Sequence, residues 1–449
     1  MTLGDFAADF ADWATRPVLT TAPGAREAAR FSLLDTLACI QAGVGQPQPR
    51  AALESLAAVG DSGPVMPTGG GPNHTLTGAA LVTGARAHAL DFDDYELAGS
   101  SHPSSPIFSA LLSLAGPHGL TVAEVEVAWL VGYEAIVTLG SALGHGHYDK
   151  GWHSTLTLGP IGVAAACARA LRLSDVATAN AMALATSSAG GSLRQAGFDA
   201  KALHVGLAAQ AGLQAALLAR AGATANTAVW EQTGGFFDLY GTVGSPGFAG
   251  VTGGWGDGTA HFPVIRKRWP ACAYTQRAIA AGSAFAGQLG THLGDQDAIE
   301  SLTYRMPGAF HQVAHYGVPK NDAQARFSVP YCLAAALIGG AITPYDFDRD
   351  RYDDPARRAL TARVELDLYD LPPGHSGAID ATSPERLIVS LSNGDLQTVN
   401  VAVVPGGAEQ PMSEEQLVDK AAESGLDRAM AHRLLAAAPD ETLSRALTG

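Results

Sequence analysis

The stretch at residues 88–106, HALDFDDYELAGSSHPSSP, constrains this chain more than any other. It sets Asp91, Asp93, Asp94, Glu96, His88 and His102 between two apolar segments. LVTGARAHAL before it reads as the end of a small-residue helix, and PIFSALLSLAG behind it as the start of another. Carboxylates wedged between buried helices carry a heavy desolvation cost unless they are paired, hydrogen-bonded or used. The apolar helices cannot supply those partners. Distant parts of the chain, or a ligand, must answer the cluster.

The rest of the chain has to be large enough to build such a site. At 449 residues it is long for one core, and two or three domains are expected. With 47% hydrophobic and 16% charged residues it reads as globular, without a low-complexity tract. A formal net charge of -15 argues against nucleic acid and against an anionic membrane face as partners. The acidic, amphipathic N-terminus lacks the pattern of a signal peptide. No run of about eighteen apolar residues is uninterrupted, so no spanning helix is expected. The four cysteines (Cys39, Cys167, Cys272, Cys332) are scattered, never form CxxC and read as reduced core residues. A cytoplasmic protein is expected.

Residues 1 to about 260 read as helix after helix. Thr121 with Glu124 makes a capping box, Ser174 an N-cap, and LHVGLAAQAGLQAALLARAG a helix small enough to be packed on all sides. The pattern then changes. IESLTYRM (299–306) and ALTARVELDLYD (359–370) alternate as strands do, and Asn393-Gly394 sits between two β-rich runs as a hairpin turn. Helices are expected at 275–288 and 323–340, and again from a capping box at Ser413 and Gln416. The resulting fold class is mostly α with an α+β part: a large multihelical domain (1–266), a smaller α+β lid domain with an antiparallel sheet (267–404), and C-terminal helices (405–449) packing back on the first domain.

Several constellations carry chemistry. Asp91, Asp93 and Asp94 lack the glycine and distal Glu of a calcium loop, and each alternatively caps or orients backbone. As a cluster, buried beside like charges, they suit proton transfer. GHGHYDKGWHST supplies His145, His147 and His153 without a carboxylate at metal-site spacing. His153 stands out because its Gly-Trp flank and the following apolar helix bury it at a helix start. HQVAH (311–315) lacks the Glu of HExxH, and no metal site is expected. Lys201 and His204 open a helix just after Arg194, and Arg266, Lys267 and Arg268 precede Trp269-Pro270 at the domain junction. Cations so placed in an acidic chain suit an anionic ligand. A GxGxxG in strand–helix context, a Walker sequence and a GxSxG elbow are all missing. Carboxylates and histidines for proton transfer, with lysines for an acidic substrate and no visible cofactor, fit removal of a proton alpha to a carboxylate.

HALDFDD with HPSSP, GWHSTLTLG, KALHVGLAAQAG and KRWPACAYTQRAI together resemble the MmgE/PrpD family, in order and from about residue 5 to about 430. That family includes 2-methylcitrate dehydratase, cis-aconitate decarboxylase and iminodisuccinate epimerase. The resemblance implies a homodimer, catalysis without metal or organic cofactor, and a site at Asp91, His102, His153, Lys201 and Lys267, with Tyr331 in FSVPY as a sixth. It departs from the family's pattern at Tyr95-Glu96, in the loop before His102, and at ACAYTQ (271–276), where Gln276 replaces a histidine. Tyr95, Arg266, Arg268, Gln276 and His204 are expected to contact substrate.

The expected activity is thus a cofactor-independent hydro-lyase acting on a small di- or tricarboxylate. His153 and Asp91 would move protons with His102 assisting, and Lys201 and Lys267 would hold carboxylates. Epimerisation of iminodisuccinate and decarboxylation of the cis-aconitate type remain open on the same scaffold. So do a non-catalytic organic-acid-binding homodimer and, last, a metal-dependent hydrolase.

Overall fold

The computed structural model describes residues 6–247, 255–288, 299–340, 342–372, 375, 377 and 379–449. Its larger part is a stack of helices around one apolar core. Helices Leu76–His88, Ser104–His118, Val122–Leu143, Ser154–Ala170 and Asp199–Arg220 form its centre. Thr121 and Glu124 close the expected capping box, and Ser174 caps its helix through the Ala177 amide.

Small residues decide how these helices cross. A Cβ added to Gly84 would lie 2.6 Å from the Gly206 Cα, so only glycine lets helices Leu76–His88 and Asp199–Arg220 touch backbone to backbone. That contact matters for the site, because it fixes the last residue of one helix, His88, beside the first turn of the other, which carries Lys201. Helix Asp199–Arg220 is long and apolar enough to cross a membrane by composition alone. Here it lies against helices Ser154–Ala170 and Leu76–His88 as a core element. It is not enclosed on every side, since Leu207, Gln214 and Leu218 form an exposed stripe.

The second part holds a four-stranded sheet in the order β2-β1-β3-β4. These are β1 (Ile299–Pro307), β2 (Val364–Tyr369), β3 (Glu385–Leu391) and β4 (Leu396–Val401). The β3–β4 hairpin turns at Asn393-Gly394, with Gly394 at φ 89. The sheet is mixed rather than antiparallel throughout: β1 pairs antiparallel with β3 but parallel with β2. A parallel neighbour needs a crossover, and the helices between Gly308 and Ala362 provide it. The strand expected from residue 359 begins only at Val364. Asp354 caps a helix Pro355–Ala362 through the Arg357 amide, with Pro355 in its first turn, and this local signal overrides the alternation. Helices Gln276–Gln288 and Val329–Gly339 pack with the buried face of the sheet, on Leu302, Tyr304, Leu387 and Val389.

From the Ser413 capping box the chain is helical again. Leu417, Val418, Ala421, Leu434 and Leu443 share the core that holds Phe10, Trp129 and Leu213. Lys420 on helix Glu414–Glu423 is buried against Asp35, 2.7 Å away, and donates to the carbonyls of Phe92 and Lys267 at 2.9 and 3.0 Å. A C-terminal helix thus ties together the two backbone segments that carry Asp91 and Lys267.

Candidate active site

Helix Leu76–His88 ends in a tight turn in which the Asp91 amide bonds back to the His88 carbonyl. Asp91 itself is left-handed, at φ 50, a conformation that aspartate tolerates better than most residues. The turn folds the Asp91 carboxylate back over the start of helix Asp199–Arg220. There its Oδ1 accepts from Lys267 Nζ at 2.6 Å and from Lys201 Nζ at 3.2 Å. Lys267 also donates to the Asp91 carbonyl at 2.6 Å. Lys201 makes a second contact, 2.8 Å to His88 Nε2, and His88 Nδ1 lies 2.7 Å from Asp93 Oδ1. An unbroken chain of hydrogen bonds therefore runs from Lys267 through Asp91, Lys201 and His88 to Asp93.

The histidines stand on this base. His102 Nδ1 donates to the Asp94 carbonyl at 2.9 Å, which leaves Nε2 as its acceptor nitrogen, 3.6 Å from Asp91 Oδ1. Asp94 Oδ1 accepts from the Ser104 amide and so orients the next helix. Glu96 accepts from the amides of Gly99 and Ser101 and from the Ser101 hydroxyl, closing the loop that presents His102. His153 is the residue just before helix Ser154–Ala170, where the Gly191 carbonyl holds its amide. Its Nδ1 meets His204 Nδ1 at 2.8 Å, while its Nε2 is buried with no partner among the described residues.

These groups open onto a small cavity of about 50 Å³ between the helical part and the α+β part. At about 10–15 Å³ per water it has room for a few waters. Asp91, Tyr95, His102, His153 and Lys201 line it from one side, and Tyr274, Val313 and Phe327 from the other.

Burial alone would raise the Asp91 carboxyl, but Lys201 and then Lys267, with His102 and His88, hold it well below the usual carboxylate range. Asp93 is lowered likewise against its burial, chiefly by His88 and His102. Burial pushes His102 well down against the opposing pull of Asp93, and Lys267 and Lys201 add to the lowering. Burial, then Lys201 and His204, hold His153 well below its usual value. Asp91 and Asp93 are therefore held ionised, and His102 and His153 neutral. Burial and the nearby Asp35 carboxylate raise Asp94 to about 7.

His88, Asp91, Asp93 and His102 bring nitrogen and oxygen atoms within ligand distance of one another. A divalent ion nevertheless fits them poorly. The acceptor positions it would use on Asp91 and His88 are taken by two ammonium groups, and the ion would have to lodge beside both.

Of the residues singled out in the sequence, Asp91, His102, His153, Lys201 and Tyr95 meet at the cavity. Lys267 sits a layer behind, sealed against Asp91. His204 also lies behind, on His153. The others point elsewhere. Tyr331 is buried with Phe347 and Tyr352 and donates to the Asp346 carbonyl. Arg266 turns away to the Ala28 carbonyl and the Ser32 hydroxyl, and Arg268 is exposed. Gln276 accepts from the Trp269 amide and donates to the carbonyls of Trp269 and Ala271, so it braces a turn rather than meeting substrate. In Tyr331, Arg266 and Gln276 alike, local bonding takes up the side-chain chemistry that makes the residue stand out in the sequence. Sequence reasoning undervalues His88, whose position three residues before Asp91 and five before Asp93 is the available signal. Tyr148, Tyr274 and Phe327 also line the cavity; they lie inside GHGHYDKGWHST, ACAYTQ and FSVPY, stretches singled out for their histidines, Gln276 and Tyr331 instead.

A buried, cation-held carboxylate and two histidines held neutral thus face a cleft between a helical part and an α+β part. The chain belongs to the MmgE/PrpD family of enzymes: the MmgE/PrpD N-terminal domain matches residues 8–248 and the MmgE/PrpD C-terminal domain residues 269–433. It is 28% identical over 351 residues to the human cis-aconitate decarboxylase, covering 77% of this chain and 71% of that one. The mouse cis-aconitate decarboxylase is 27% identical over 77% of this chain and 70% of its own. A cis-aconitate decarboxylase-like protein, oryM of Aspergillus oryzae, is 25% identical over 93% of this chain and 90% of its own.

Proposed function

We propose that this protein is a cofactor-independent enzyme that moves a proton on carbon alpha to a carboxylate of a small di- or tricarboxylic acid, with elimination of water as its first reading. The observation that carries it is His153 Nε2, a neutral imidazole nitrogen buried at the cavity without a partner among the described residues, beside the Lys201 ammonium. A base must be unprotonated and unoccupied to accept a proton from carbon. Lys201 spends two donors on His88 and Asp91, and its third serves a substrate carboxylate and the enolate that develops from it. Asp91, held ionised between two lysines, anchors these cations rather than accepting the proton. His102, with Nε2 bare, is a second group able to accept a proton, and the hydroxide leaves as water with the proton that His153 Nε2 has taken from carbon.

A second reading is decarboxylation, favoured by the names of the three relatives above. Loss of CO2 leaves an equivalent carbanion, and the same histidine would protonate it. Epimerisation loses part of its motive, because Gln276 braces backbone instead of facing substrate. NMR in D2O separates the readings, with citrate, 2-methylcitrate, cis-aconitate, malate and iminodisuccinate followed for alpha-proton exchange and product. Water loss supports the first reading, CO2 release the second, and inversion the epimerase. Binding without any exchange would replace all three by an organic-acid-binding protein.

A further inference from the structure

The base proposed above has a charge problem. If His153 accepts a proton at Nε2 and keeps the one at Nδ1, it becomes an imidazolium buried beside Lys201, with His88 and His102 rings 6.1 and 6.3 Å away. An uncompensated buried charge next to an ammonium is costly. The structure offers an exit. His153 Nδ1 faces His204 Nδ1 at 2.8 Å, so one nitrogen carries the proton and the other its lone pair. His204 lies one turn after Lys201 on helix Asp199–Arg220, and 7% of its surface stays accessible. Its Nε2 makes no hydrogen bond among the described residues.

We infer that His153 and His204 form a two-tautomer proton relay, in which the position of the shared Nδ1 proton sets whether His153 is a base or an acid. In one tautomer His153 holds the shared proton and its Nε2 lone pair faces the cavity. When the substrate C–H bond breaks, its electron pair stays on carbon as the enolate and its proton goes to His153 Nε2. The Nδ1 proton passes to His204 Nδ1, and His204 Nε2 releases its own to water. The dyad is then in the second tautomer, with His153 Nε2–H ready to donate. Run in reverse, the same path takes a proton from water to carbon.

The resting charges agree with this picture. His153 is faced by Lys201, His204, His88 and His102, and burial with these cationic or neutral groups keeps it neutral. His204 is faced by Lys201 and His88, and burial foremost lowers it to about 4. Both rings are therefore neutral near pH 7, as the relay requires.

The inference rests on the proposed proton transfer, and the wild type tests that first: without exchange or turnover on any panel acid, the reading itself falls. With an acid that turns over, His204→Asn keeps a hydrogen-bonding atom near the Nδ1 position but has no second nitrogen to pass a proton on. The relay predicts a fall in kcat of roughly 10²-fold, with KM little changed, slower exchange of the alpha proton with solvent and a displaced acid limb of the pH profile. An unchanged kcat and profile in the folded variant overturns the relay and leaves the proposed function standing. Less folded protein whose remaining molecules keep the wild-type profile overturns it too. Imidazole 15N shifts of the wild type provide a check that needs no variant. Interchange of His153 tautomers on ligand binding supports the relay, and a single fixed tautomer in every state overturns it.

Discussion

Two buried carboxylates in this protein are each held by two cations, and they serve different ends. Glu126 meets Arg26 through Oε2 at 2.7 Å and Arg30 through Oε1 at 2.6 Å. Both oxygens are occupied, and Arg30 also donates to the carbonyls of Leu435 and Ala437, joining the C-terminal helices to the core. Asp91 takes both Lys201 and Lys267 on one oxygen, Oδ1, at the edge of a cavity. The planar fork of arginine closes a pair by satisfying both acceptors in fixed directions. Lysine brings a compact charge with three donors, and after its protein contacts one remains to use. The first arrangement is finished as it stands. The second places Lys201, with two of its three donors bonded, at the cavity.

That contrast predicts a ranked set of effects. Asp91→Asn removes the anion between two buried ammonium groups. Breaking such a buried arrangement costs about 3–5 kcal/mol, and turnover should fall by more than a factor of about 10³, since the base and its cations lose their anchor. Denaturant titration beside steady-state kinetics checks both, and near-normal turnover would undo the assigned role of Asp91. Lys201→Met leaves the Lys267–Asp91 pair in place. It should cost roughly 10²- to 10³-fold in kcat with a smaller loss of stability, and unaltered kinetics would show that Lys201 does not touch the reacting acid. Glu126→Gln should do the reverse. It lowers stability by about 1–3 kcal/mol, reduced by the exposure of Arg26, and leaves kcat per folded molecule unchanged. A kinetic defect in that variant would erase the distinction between the two clusters.

The smallest effect is a slope. His204 is lowered to about 4 in the folded protein from an ordinary value of 6.5. Between those values the unfolded chain binds the proton and the folded chain does not, so stability is lost as pH falls from about 6.5 toward 4. Stability of the wild type relative to His204→Asn should therefore decline across that window and stay level above it. A constant difference from pH 8 to 4 would show that His204 is not held neutral by the fold.

Much of the fold is legible in the order of residues alone. The capping box at Thr121 and Glu124, the Ser174 and Ser413 caps and the Asn393-Gly394 turn are short-range devices whose partners lie within a few residues. Such devices form wherever their few residues occur together, so sequence and structure agree on them. The α+β character of the second part follows from a change of hydrophobic period. The parallel pairing of β1 and β2 does not, because strand direction depends on the path of the intervening helices. Residues 359–362 alternate as a strand would, yet they finish helix Pro355–Ala362, where a proline and an aspartate cap outweigh the alternation.

The candidate site divides along the same line. The sequence by itself determined that a carboxylate–histidine cluster sits between apolar helices, that distant parts of the chain or a ligand must answer it, and which family the chain resembles, since these depend on residue type and order. Only tertiary structure decided that Lys267 stands behind Asp91 while Lys201 faces the cavity. It also decided that Arg266, Gln276 and Tyr331 are spent on backbone carbonyls, and that His204 meets His153 nitrogen to nitrogen. The physical reason is directional. A side chain's chemistry is set by its type, but its use depends on which acceptor lies within about 3 Å of it, and here that acceptor is often contributed by a segment more than a hundred residues away.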